Sequence, residues 1–448
     1  MLRPLLPLAV LLAVGVCAQE KTIVFQGAQL IPIVGEPIAN GVLVVQGGKI
    51  LAVGAADKIT VPAGAEIHDA RGKVIMPGLV DSHSHVGGPA GADASSAIQP
   101  DVRALDSIDA QSPSIQKAQA GGITTVNIMP GSGHLISGQT VYAKLRDGRT
   151  IDDILIKFDD GSFAGGLKMA NGTNSLRAAG GNFPGTRGRS AALVREQFIK
   201  AQEYKAKLAR ANGDPEKMPA RDLALEELVA VMDGKKVVQH HSHRHDDILT
   251  VLRLAKEFGF KVVLHHVSEG WKVAAEIAQA GAACSVIIVD SPGGKLETKE
   301  ASFETPAVLE KAGVLVGLHT DDGVTDSRHF LRIAGLAVRG GMTRDGALRA
   351  VTIANAKILG LENRVGSLEV GKDADFILLS GDPLSVYTRV EETWIEGRKV
   401  FDLTDPQDRI YALGGAGAGD PRRGQLCCFG NAWEMIAAVN AQLYGSAQ

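Results

Sequence analysis

The sequence predicts an α/β protein: a (β/α)8 TIM barrel carrying a small composite β-sandwich domain built from both chain ends. Three observations point there. Strand-like and helix-like segments alternate through residues 76–361, short β-branched segments with glycine turns cluster at both ends, and histidines concentrate where strands stop. The alternating stretch offers eight strand candidates, at 74–80, 124–128, 141–145, 166–169, 237–241, 261–265, 283–288 and 314–319. Helical patterns follow the later ones, at 246–258, 270–280, 305–311, 326–338 and 344–359. Eight βα-type units in succession predict a closed parallel barrel. An open doubly wound sheet is the competitor, but no strand leads into a glycine-rich phosphate loop.

The ends have a different character. Residues 22–25, 41–46 and 49–53 read as strands, with Gly47-Gly48 as a hairpin turn, and 375–379 and 390–396 match them after the barrel. The expected organisation is therefore a β domain of 19–75 with 362–402, a barrel of 76–361, and a linker with a short appended helix in 403–448. Residues 199–235 are dense in charge and read as a solvated helix pair without chemistry.

Composition narrows the function. A formal net charge of −3 gives no electrostatic case for nucleic acid or an anionic membrane, and 4% aromatics leaves no stacking platform. The first 18 residues have the parts of a secretory signal: Arg3, an apolar run over 5–16, and Val16-Cys17-Ala18 before Gln19. Export to the periplasm or medium is expected; a buried N-terminal helix and a lipoprotein anchored at Cys17 are the alternatives. No later stretch reads as a membrane span. Cys284, Cys427 and Cys428 are too few and too oddly placed for a disulfide framework.

The strongest local signal is Gly78-Leu-Val-Asp-Ser-His-Ser-His85. Residues two apart on a strand share a face, so His83 and His85 project together from a strand end, as a divalent metal requires. Three later strand ends also carry donors: His240, His241 and His243; His265 and His266; and His319-Thr320-Asp321-Asp322. In a barrel these ends lie on one face. Four coincidental strand ends make the alternative, isolated core or surface histidines, a poor account.

These histidines, the "HTDD" of 319–322, "HLISGQ" (134–139), "HSHRHDDI" (241–248) and "GSLEVGKDADFILL" (366–379) together resemble the amidohydrolase superfamily. More narrowly, the chain is similar to its imidazolonepropionase-like metal-dependent hydrolases over about 22–402. The resemblance implies His83, His85, His241, His266 and Asp321 as metal ligands. His266 is chosen over His265 because "HHVSEG" resembles the family's "QHGTEA". Lys168 stands where several members carry a carboxylated lysine bridging two metals. The family's "GEN" is Gly172-Thr173-Asn174 here, so a carboxylate is missing at Thr173. One or two divalent ions are expected, zinc first, with manganese or iron as alternatives.

The implied chemistry is hydrolysis of a C–N bond by metal-activated water, the bond being an amide, cyclic amide or dipeptide-like linkage. Asp321 is expected to relay the proton to the leaving nitrogen, and His243 to help stabilise the oxyanion. His134, Arg177, Arg187 and Arg244 are the candidates for holding a small substrate, the arginines through its carboxylate; surface solvation is the plainer reading of each. Amidine deamination ranks lower, because Arg244 rather than a carboxylate follows the fifth-strand histidines. A catalytically silent binding protein is the reading from another class, favoured by Thr173. A homo-oligomer is left open.

Overall fold

The computed structural model describes residues 21–89, 93, 95–158, 160–176, 183–288 and 295–414. The expected signal segment, Arg177, Cys427, Cys428 and the appended helix lie outside the described residues. Among those described, no helix is long and apolar enough to cross a membrane, and Cys284 is a buried free thiol.

The N-terminal strands are β1 (Ile23–Leu30), β2 (Ile38–Gln46), β3 (Lys49–Ala55), β4 (Glu66–Asp69) and β5 (Val74–Pro77). The central ones are β6 (Leu79–Ser84), β7 (Ile123–Ile128), β8 (Ile136–Gln139), β9 (Val141–Lys144), β10 (Leu167–Ala170), β11 (Val238–Ser242), β12 (Val262–His266), β13 (Ala283–Val286) and β14 (Val316–Leu318). Last come β15 (Phe376–Leu379), β16 (Val390–Ile395) and β17 (Arg398–Asp402).

Strands from both ends share one sheet, ordered β17-β16-β15-β5-β1-β2-β3 with β4 beside β1. The join is β5 against β15, antiparallel from Val74↔Leu379 to Pro77↔Phe376. Gly47 and Gly48, at φ 60° and 71°, turn the β2–β3 hairpin where a Cβ would be strained. Phe25, Phe376 and Trp394 pack edge-on and stacked across this sheet.

The central strands form a six-stranded sheet, β14-β13-β12-β11-β10-β8, and a three-stranded one, β6-β7-β9. From β10 to β14 the pairing is parallel throughout, and β6–β7 is parallel too. The third position departs from the expected all-parallel pattern. β9 runs antiparallel to β7, and β8 antiparallel to β10. Asn355 brings the far strands together, its side-chain amide donating to Val80 O at 2.5 Å and Leu318 O at 2.6 Å.

Helices cover the outer face. The charged segment is not merely solvated. In helices Arg187–Ala211 and Leu223–Met232, Val194, Phe198, Ala201, Tyr204, Leu228 and Val231 are buried against Leu167, Met169 and Val238. Their three- and four-residue spacing is an apolar stripe. Residues 406–413, expected within a linker, are a helix with Pro406 in its first turn and Asp405 as its cap.

One ion network ties the three-stranded central sheet to the sheet of the chain ends. Lys144, fully buried at the end of β9, reaches Asp375 at 2.6 Å and Asp373 at 2.7 Å. Asp373 also takes Lys49 at 2.5 Å and Arg364 at 3.0 Å, while Arg146 forks onto Glu396 at 2.7 Å on both oxygens. This explains the "GKDADF" motif physically. Its two aspartates neutralise a lysine that has no water to solvate it.

Candidate metal centre

The site grows from the end of β6. Its residues 79–84 are buried, and Asp81 accepts from His83 N, Thr320 N (both 3.2 Å) and Thr320 Oγ1 (2.5 Å). Asp81 thereby fixes the turn after β14 against β6, and burial pushes its carboxyl up to about 7. His83 and His85 project to the same side, with ring centroids 5.2 Å apart.

Asp321 lies between them, 3.2 Å from His83 Nε2 and 2.9 Å from His85 Nε2. His85 Nδ1 is 2.8 Å from Met129 O, which can only accept, so Nδ1 carries the proton. That leaves His85 Nε2 facing the carboxylate, the nitrogen through which it would ligate a cation held between the two. Ligand atoms 2.0–2.2 Å from one ion sit roughly 2.8–3.6 Å from each other, from right-angled to tetrahedral coordination, and these separations fall in that range.

The neighbouring strand ends add donors. His241 ends β11 with both ring nitrogens buried and without a hydrogen-bond partner among the described residues, and His83 Nδ1 is likewise unpartnered. Buried polar atoms are rarely left so, and each needs an explanation such as an ion. His266 ends β12, 4.4 Å from the His241 ring and 4.9 Å from the His83 ring. Its Nδ1 is 4.0 Å from Asp321 Oδ2. Lys168 of β10 is fully buried, with Nζ 3.2 Å from His83 Nε2 and 3.1 Å from Met129 Sδ. His266, Val267 and Asp321 hold φ of 71°, 44° and 50°. Left-handed backbone at non-glycine residues is costly and concentrates where geometry serves function.

Burial sets the protonation. It drives His83, His241, His265 and His266 well below the ordinary imidazole range, His240 and His319 to about 3, and His243 to about 4. The cluster therefore presents neutral imidazoles, the form that binds metal. Burial also brings Lys168 down to about 7, against the pull of Asp321. Asp321 is held at about 2: desolvation opposes this, but the His85 contact and the positive neighbours outweigh it.

The structure thus gathers His83, His85, Lys168, His241, His266 and Asp321 into one connected cluster. Donor atoms of His83, His85 and Asp321 lie within 4.8 Å of one another, as do those of His83, His265 and His319. His265 and His319 are engaged from behind, His265 Nε2 at 2.7 Å from Gln239 Oε1 and His319 Nδ1 at 2.7 Å from Ser285 Oγ. His240, a fifth-strand competitor, turns its Nδ1 to His241 O at 2.9 Å.

A third grouping, His241, His243 and Glu297, includes a residue that sequence reasoning missed. Glu297 is buried and accepts from Thr173 N at 2.9 Å. The carboxylate absent from position 173 is thus supplied in space by the segment after β13. His243 Nδ1 contacts Ser268 Oγ at 2.8 Å, and Lys295 Nζ approaches His243 Nε2 at 3.4 Å.

Two of the expected substrate-holding arginines, Arg187 and Arg244, meet carboxylates of the chain. Arg244 forks onto Asp246 at 2.9 Å, and Arg187 donates to Asp247 at 2.8 Å with Glu297 at 3.6 Å. His134 is buried, its ring 5.2 Å from that of Phe183. The sixth strand also carries an acid the sequence reading passed over, Glu269, three residues beyond His266. It contacts His245 Nδ1 at 2.6 Å and Lys272 at 3.4 Å, so an acid of the kind whose absence ranked deamination lower does follow the sixth-strand histidine.

Residues 271–401 match the model of the amidohydrolase family. The chain is 35% identical to an amidohydrolase of Thermotoga maritima, whose crystal structure superposes with a TM-score of 0.78 over 85% of this chain and 100% of that one. It is 25% identical to the imidazolonepropionase of Sphingopyxis alaskensis, over 79% of this chain and 90% of the relative. It is also 28% identical to the amidohydrolase tasK of Hapsidospora irregularis over 76% of its own length, but spans only 38% of that larger protein.

Proposed function

This chain belongs to the amidohydrolase family, metal-dependent hydrolases that act on C–N bonds, and we propose that it cleaves an amide, cyclic amide or dipeptide-like bond. The observation that carries this reading is the unpartnered His241 ring beside the His83–His85–Asp321 cluster. His83, His85, His241, His266 and Asp321 would hold the metal, with Lys168, once carboxylated, as a further oxygen ligand. Zinc suits this imidazole-rich set. A metal held there supplies Lewis acidity toward the carbonyl oxygen and toward water.

The protein's own groups do the rest. Asp321, ionised at neutral pH, takes the proton of the attacking water and returns it to the departing nitrogen, so that the amine leaves neutral. His243, its ring fixed by Ser268, steadies the charge that grows on the carbonyl oxygen. Lys168 lies deep enough to be an uncharged amine for part of the time, which carboxylation by CO₂ requires. On the same reading the two central sheets complete a closed barrel, 19–75 and 362–402 form one β-sandwich unit, and 1–18 directs export.

A chelator should reduce hydrolysis of N-acyl amino acids, dipeptides or lactams to below roughly 1% of the untreated rate. Added zinc, manganese or iron should restore it, and elemental analysis of the purified protein should find the ion. Turnover that is indifferent to chelation, or protein without bound metal and without response to its addition, would sink the reading.

A further inference from the structure

We propose that Lys295 receives the carboxylate of the substrate, which narrows the substrate class to amides bearing a free carboxylate beside the scissile bond, such as N-acyl amino acids or dipeptides. This rests on the amide-hydrolase reading above. Among the described residues, Arg187, Arg244 and Lys272 near this end of the strands are each drawn onto a carboxylate. Arg187 and Arg244 donate to Asp247 and Asp246 at 2.8 and 2.9 Å, and Lys272 is paired with Glu300. Lys295 differs. An ammonium has three N–H donors, and its contacts among the described residues are His243 Nε2 at 3.4 Å and Glu297 Oε1 at 3.7 Å.

The second of these lies beyond hydrogen-bond reach. Glu297 is itself spent elsewhere, its Oε2 accepting from Thr173 N at 2.9 Å with Arg187 nearby at 3.6 Å. Among the described residues its Oε1 has no hydrogen bond. Lys295 is therefore steered to the edge of the cluster without being saturated. Its side chain is 38% exposed, open to an incoming group on one side and lodged against the site on the other.

The spacing suits such substrates. In an N-acyl amino acid the scissile carbonyl carbon and the carboxylate carbon are separated by three bonds, roughly 3–4 Å. Lys295 contacts His243, whose ring is 4.7 Å from that of His241. A carboxylate on Lys295 thus leaves the amide carbonyl one side-chain width from the metal-binding cluster. Beside Lys295, Leu296 is 83% exposed, and Val324 after Asp321 is 56% exposed. Both offer apolar surface at this end, so an amide of leucine is the natural probe.

The test is calorimetric binding of N-acetyl-leucine and its primary amide to the metal-loaded protein. The wild type should bind the carboxylate on the order of 10–100-fold more tightly than the amide, the range for a hydrogen-bonded charged group. Lys295→Met should bring the two ligands within about threefold, and Lys295→Arg should restore most of the gap. Metal content and circular dichroism show that each variant is folded, and Lys295→Gln replaces Lys295→Met should the latter fail. The proposal is overturned if the wild type does not discriminate or does not bind, or if Lys295→Met keeps the preference, as it would were the metal alone gripping the carboxylate. Binding needs no turnover. The amide-hydrolase reading fails on a separate result, the absence of cleavage of any N-acyl amino acid, dipeptide or lactam by the same loaded protein.

Discussion

Asp321→Asn should lower turnover on the order of 10²–10⁴-fold, the span expected when a positioned general acid–base is removed. The substitution preserves size and can still accept a hydrogen bond from neighbouring donors, but it cannot take up the proton that the wild-type carboxylate, held at about 2, is free to accept. Its place beside His83 and His85, at 3.2 and 2.9 Å, also makes it part of the metal cage. Elemental analysis must therefore accompany the kinetics. A loss of kcat at near-full metal occupancy identifies proton transfer; a loss that follows metal content alone identifies ligation. Activity within a few-fold of wild type would remove Asp321 from the mechanism.

Much of this centre was legible because strand geometry is periodic. The two-residue spacing of His83 and His85 already places both rings on one side, and the endings of β11, β12 and β14 are marked by histidines. What could not be read were contacts made by folding. Glu297 and Thr173 meet across 124 residues, and nothing local in either segment announces the other. Lys295 sits in a stretch with no periodicity to orient it. Arg187 and Arg244 look available in sequence, yet Asp247 and Asp246 claim them in the fold.

Strand direction at the third strand position was equally hidden, because four-residue strands such as β8 and β9 read the same either way. The stripe along 194, 198, 201 and 204 was legible in principle. The density of charge around it masked its period.

Lys144→Met should cost about 3–5 kcal/mol, as expected when one member of a buried ion network is removed and the others are left uncompensated. Asp375 is fully buried and loses its principal cation, while Asp373 keeps Lys49 and Arg364. Burial raises the Asp375 carboxyl above the ordinary range, outweighing Lys144. A raised folded-state pKa means that protonation favours the folded form and that stability falls as the pH climbs through that value. The deficit of the variant should therefore shrink as the pH is lowered from about 7 towards about 5. Urea denaturation at both pH values, read as the shift in midpoint relative to wild type, measures it. A variant as stable as wild type at neutral pH would show that the network contributes little.

The partners of Lys144 also impose an order on events during synthesis. Asp375 follows it by 231 residues, a delay of about 10–50 s at ordinary elongation speeds of roughly 5–20 residues per second. Until that stretch is made and can pack beside β9, Lys144 has neither of its two aspartates, and burying β9 would leave its charge uncancelled. The last strands made are what allow the first ones to lock.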